Sequence, residues 1–159
     1  MKNFKYILFL IIGLPLYICC KKKEILIVPI ESLTETSSFN KDGRVFTNKL
    51  TCFLVKGYDS HQTALDAVNR FIVKNKGADY QKYDNYSMFF YKESDQTTIE
   101  KIKQNPKVID RYSNDNDLLY NFLWNKGRFV NMYRYEGGEL IEPDPSDIIL
   151  SPAPPIDTI

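Results

Sequence analysis

The apolar stretch from Ile7 to Ile18 spans twelve residues and ends in two cysteines, Cys19 and Cys20. This arrangement decides how much of the chain can enter a folded core. Lys2 and Lys5 put positive charge ahead of the stretch. A helix crossing a hydrocarbon layer of ~30 Å needs about 20 apolar residues, so this one is too short. Pro15 also works against a straight spanning helix. A charged start, a short apolar middle and a small residue at its end are the build of a cleaved export signal. Residues 1–19 are therefore expected to be removed, leaving a chain close to the commonest size of a single domain.

The same residues resemble the bacterial lipoprotein signal class. In that class the apolar segment closes on a short lipobox whose cysteine becomes the diacylated first residue. With Cys20 modified, Cys19 is the small residue before it and Tyr17 stands three positions before. With Cys19 modified, Ile18 and Leu16 take those places. Cys20 is the preferred lipidation site and Cys19 the alternative. The polar run Lys21-Lys22-Lys23-Glu24 follows at once, as a tether should. The resemblance implies a lipid anchor, palmitate among its chains, and a place in the cell envelope. The outer membrane is expected, with the domain on its periplasmic or surface face. Anchoring by more than one acyl chain is stable, because each buried methylene contributes about 0.8 kcal/mol. The resemblance covers about 20 residues and carries no information about the remainder.

Charge narrows the function classes. Of 21 Lys and Arg, Lys2 and Lys5 lie in the signal, which leaves 19 against 20 Asp and Glu. A nucleic-acid binder shows a basic excess, so nucleic acid is not an expected partner. Cys52 is the one cysteine in the domain, so the core and not a disulfide must hold the fold.

The mature chain reads as an α+β single small domain, ordered strand, helix, strand, helix, hairpin. A mixed or antiparallel sheet is expected, with the helices packed on one face. Residues 20–43 are expected to be a lipid-anchored tether, because Glu31 to Asp42 is rich in Ser, Thr and Glu and has no period. Ile25 to Val28, before Pro29, is a possible edge strand. The α/β domain is expected over residues 44–142. Leu50, Cys52 and Leu54 alternate with Thr51, Phe53 and Val55, both sets partly apolar, as in a central strand. Ser60 is a helix N-cap with Thr63 after it. Ala64, Leu65, Ala67, Val68, Phe71 and Ile72 form one apolar stripe over residues 61–75. A second strand spans Tyr86 to Lys92. A second helix carries Ile99 and Ile102 and stops before Pro106.

Leu118–Trp124 and Arg128–Tyr135 read as a hairpin. A three-residue loop would pair Trp124 with Arg128; a two-residue loop would pair Trp124 with Phe129 and Tyr120 with Tyr133. The choice exchanges the buried face. Gly137-Gly138 marks a turn before a short strand at Leu140-Ile141. Five prolines from Glu142 onward make residues 143–159 an extended Pro-rich tail.

No residue grouping in the domain carries a catalytic signature. His61, the only histidine, follows Asp59 and Ser60, but neighbours at a helix start point apart and a triad is a matter of geometry. Cys52 sits mid-strand and reads as a small core residue. Ser113 to Asp117 spaces oxygen ligands at alternate positions. A calcium loop would need Gly at its sixth position and an acid at its twelfth, where Leu118 and Trp124 stand. No catalytic residue, metal site or cofactor is expected. Tyrosine is the residue in excess, and the connection from Gly77 to Asn85 has no period to claim its rings. Tyr80, Tyr83 and Tyr86 are the expected contact residues, since tyrosine offers a flat apolar face with a polar tip. The expected function is non-catalytic binding of an envelope protein or glycan. A periplasmic immunity or inhibitor protein and a small hydrolase using His61 or Cys52 are the alternatives.

Overall fold

The longest strand organises the molecule. In a computed structural model, which describes residues 24–75, 79–109 and 116–142, β3 (Arg44–Lys56) pairs along its full length. Phe53 and Val55 enter one apolar cluster, and Cys52 and Leu54 enter another on the opposite face. Alternation with both faces buried is what a central strand requires.

Two short strands share one side of β3. β1 (Leu26–Pro29) runs antiparallel to its end, from Leu26 beside Lys56 to Pro29 beside Phe53. β2 (Glu35–Lys41) runs antiparallel to its beginning, from Glu35 beside Leu50 to Lys41 beside Arg44. Between them Ile30 N–H donates to the Cys52 carbonyl at 2.8 Å, and a 3-10 turn spans Glu31–Leu33 with Leu33 buried. The expected tether over residues 20–43 is thus corrected: from Leu26 onward it belongs to the sheet. Every β2 residue is exposed, so no hydrophobic period marks the strand. Backbone pairing holds it, and the Asp42-Gly43 turn, with φ of 53° and 77°, has the twist that favours a two-residue hairpin.

On the other side of β3, α1 (His61–Lys74) carries the chain back to β4 (Asn85–Lys92), which pairs in parallel with it. Antiparallel strands β5 (Leu118–Asn125), β6 (Arg128–Glu136) and β7 (Glu139–Ile141) complete the sheet. Among the described residues the result is a small single domain: one mostly antiparallel seven-stranded sheet and two α-helices, richer in strand than expected.

The capping box of α1 is present: Ser60 Oγ accepts from Thr63 N–H, and Thr63 Oγ1 accepts from Ser60 N–H, each at 3.2 Å. Its stripe buries Ala64, Leu65, Val68 and Ile72 against Phe53, Val55, Met88, Phe90, Phe122 and Trp124. Phe71 is only half-buried at the rim of this cluster. The second helix, α2 (Ile99–Gln104), is capped by Thr98 and packs Ile102 on the other face, among Cys52, Leu54, Phe89 and Tyr91. The expectation that both helices lie on one face is therefore corrected. Both faces of β3 and β4 are apolar, so one helix layer could not cover them.

The β5–β6 turn follows neither expected register throughout. Lys126 and Gly127 form a two-residue turn with φ of 48° and 76°, and Trp124 pairs with Phe129. A bulge then leaves Val130 unpaired, so Tyr120 faces Arg134 in place of Tyr133. The expected signal segment, most of the expected polar loop at 113–117 and the expected Pro-rich tail at 143–159 lie outside the described residues.

Candidate functional site

Register defines the surface that the helices leave open. Paired residues share a face, and successive residues alternate. On the face that carries α2, one row crosses five strands: Ser37, Asn48, Asn85, Asn125 and Arg128. The next row is Glu35, Leu50, Ser87, Leu123 and Asn131, and Asn121 and Tyr133 follow beyond it. α2 is six residues long, and its cluster involves Cys52, Leu54, Phe89, Tyr91 and Leu118. Leu50 of the second row packs at the edge of that cluster, and no residue of the first row belongs to it. Ser37, Asn85 and Asn125 are exposed; Asn48, Leu50, Ser87, Leu123 and Asn131 are half-buried.

The first row is joined by its side chains. Asn85 Nδ2 donates to Asn48 Oδ1 at 2.8 Å, and Asn125 Nδ2 donates to Asn85 Oδ1 at 2.9 Å. Two rows on, the Oδ1 of Asn121 is buried and has no donor among the described residues.

Beyond the amide row, β2 and the start of β3 continue as a two-stranded arm, because β4 begins pairing only at Asn48. Phe39 and Phe46 lie on the same face as the row and stack at 5.3 Å, with Phe39 45% exposed. The Arg44 guanidinium lies over the Phe46 ring at 4.9 Å. Isolated two-stranded ribbons are marginal in water, and Asp84 clamps the base of this one. Its carboxylate accepts from Thr47 N–H at 2.8 Å and from Arg44 at 3.2 Å. The Thr47 amide above all, with the Thr47 hydroxyl and Arg44, holds the Asp84 carboxyl below its ordinary range.

Of the expected tyrosines, Tyr86 lies in the core on the opposite face and Tyr83 is partly buried against it. Tyr86 is 4% exposed, packs at 5.8 Å from Trp124, and shares a hydrogen bond of 3.1 Å with Thr51 Oγ1. It is withdrawn as a contact residue. Tyr83 stacks on Tyr86 at 6.2 Å beneath the Lys49 ammonium at 5.2 Å. The side chain of Tyr80 lies outside the described residues. Tyr133 comes to the open face, paired with Asn121, because of the β6 bulge.

His61 meets Glu136 at 3.6 Å, and Arg134 also pairs with Glu136. Arg134 holds the Glu136 carboxyl below its ordinary range. The His61 carbonyl accepts from Tyr120 Oη at 2.8 Å, which ties the start of α1 to β5. Asp59 Oδ1 accepts from Thr63 Oγ1 and Ser60 Oγ from Thr63 N–H. The His61–Glu136 contact links α1 to β6. Cys52 is fully buried, with its thiol toward the Leu33 carbonyl at 3.8 Å.

Asp117, from the segment tested as a calcium loop, is a buried structural acceptor for Ser94 Oγ, Thr97 Oγ1 and Lys92 Nζ. Burial pushes its carboxyl up, but the two hydroxyls and the ammonium outweigh this and leave it lowered. Among the described residues no group of three His, Cys, Asp or Glu converges on a metal position. A groove of about 780 Å³ runs between β1 and α1, lined by Leu26, Asp66, Arg70, Phe71 and Lys74 among others.

No protein-family model, curated protein or solved structure matches this chain.

Proposed function

We propose that this chain is a non-catalytic, lipid-anchored binding module of the bacterial cell envelope, carried by the outer membrane. It engages an envelope protein or glycan through the open half of its sheet. One observation carries the reading: a continuous row of amides crosses the strands on a face that the short α2 leaves uncovered.

The topology supports such a role. β1 starts at Leu26, beside Lys56 at the end of β3. From a lipid on Cys20 to Leu26 is a tether of six residues, at most ~21 Å extended. Asn48 stands eight residues back along β3, ~26 Å from Lys56, and the Asp42-Gly43 turn lies farther still. The anchor therefore holds one end of β3 near the bilayer, and the amide row and arm belong to the other end.

Two measurements test this. A fatty-acid probe should label the wild type and fail to label the Cys19→Ser, Cys20→Ser double variant. Label that persists would overturn the anchor. A photo-crosslinking residue at position 85 should give discrete adducts in living cells, and one at position 62, on the exposed side of α1, should not. Adducts at 62 alone would move the binding surface elsewhere.

A further inference from the structure

Resting on that reading, we infer that the occupant of the open face is an uncharged, N-acetylated glycan strand lying across the sheet along Asn48, Asn85 and Asn125. The backbone of β3, β4 and β5 is engaged in pairing, so a ligand on this face must be recognised by side chains. Each amide side chain has two N–H donors and an oxygen with two acceptor sites. The two hydrogen bonds within the row use one N–H of Asn85 and one of Asn125. The second N–H of each, both N–H of Asn48 and the Oδ1 of Asn125 enter no hydrogen bond among the described residues. Sugar hydroxyls and acetamido groups donate and accept in the same way, and an acetamide extends an amide row in kind.

Charge excludes the common competitors. The row holds no carboxylate and a single cation, Arg128 at its end. Arg44, on the arm, is held by Asp84 and Phe46. Phosphate backbones are bound by many cations; beside Arg128 and Arg44 this face adds only Lys41 on the arm, and Glu35 in the next row sets a carboxylate against them. A protein partner is expected to seat a large aromatic or Arg anchor near the centre of the patch. The centre here is Ser87 between half-buried Leu50 and Leu123. The exposed aromatic surface lies to one side, on Phe39, where the apolar face of a sugar ring can pack. With strands ~4.8 Å apart, a row over five strands is ~19 Å long and accepts an oligosaccharide, not a single sugar.

The test titrates triacetylchitotriose into the chain purified in detergent and follows backbone amide resonances. Cellotriose, which lacks acetamido groups, is the control. The expected shifts centre on residues 48, 85 and 125 and on Phe39 and Phe46. Cellotriose should bind at least fivefold more weakly. The Asn85→Ala, Asn125→Ala double variant should bind at least tenfold more weakly with an unchanged Tm. Asn85→Asp, which keeps the side-chain volume, should weaken binding as well and covers the case in which alanine disturbs the strand end. Absence of shifts, shifts centred elsewhere, or equal binding by the variants would overturn the glycan. A protein crosslinked at position 85 together with a silent chitotriose titration would overturn the glycan and leave the binding module standing. No adduct and no shifts would overturn both.

Discussion

The two faces of the sheet are built to different standards. On one, a fourteen-residue helix with a capping box lays four buried aliphatic side chains and Ala67 against a continuous field of rings. Phe90 there touches Phe53, Phe71 and Phe122 at 5.1, 6.2 and 5.7 Å. On the other, a six-residue helix buries one side chain, Ile102, and covers only the end of β3 and β4. The remainder of that face mixes amides and a hydroxyl with half-buried Leu50 and Leu123, and ends in the arm. The contrast teaches that the first face carries the stability. The second can therefore leave polar groups open to a partner at little cost to folding.

The largest effect should come from the middle of the ring field. Phe90→Ala should cost about 3–5 kcal/mol in denaturant unfolding, since a fully buried ring is lost. Phe71→Ala, at the half-buried rim, should cost about half as much. Equal losses would erase the distinction between centre and rim.

Ile102→Ala should cost about 2 kcal/mol, near the low end for such a truncation, because a six-residue helix with one fully buried side chain can detach and solvate. Hydrogen exchange should speed up in α2 and leave α1 protected. Loss of protection in α1 would show that the two faces fold as one unit and would break the comparison.

Asp117→Asn should cost about 1–3 kcal/mol, because hydroxyl donors lose a charged acceptor. The carboxyl is lowered in the fold, so its stabilisation is present above the ordinary carboxylate range, near pH 4, and is lost as pH falls through the folded value. The wild type should therefore lose more stability than the variant on acidification below about pH 4. Parallel acid profiles would remove Asp117 from the account.

The smallest effect belongs to the open face. Asn85→Ala should change unfolding free energy by no more than about 0.5 kcal/mol, the range for exposed positions. A larger loss would mean that the amide row braces the strand ends and that the contrast between the faces is overstated.

Much of the first face was legible in the chain. The alternation through Lys56, the stripe from Ala64 to Ile72 and the Ser60 cap each have a local physical cause, and each stands where expected. The second face was not legible. β2 is exposed on every residue, so no apolar period announces it, and Asp42-Gly43 was its one local signal. The amide row brings together residues 37 to 40 positions apart, and no spacing in the sequence links Asn48, Asn85 and Asn125. Tyr86 misled because a tyrosine with a buried hydroxyl needs a partner, and that partner, Thr51, lies 35 residues away.

By itself the sequence determined what depends on neighbours along the chain: which segments with an apolar period pair or coil, where α1 begins, and that β3 must be covered on both faces. Tertiary structure alone decided which helix took which face, how far each one reached, and how a bulge at Val130 reset β6. Periodicity is a property of one segment, whereas coverage and register are relations between segments. A relation of that kind is settled only when the strands meet and their side chains compete for the same space.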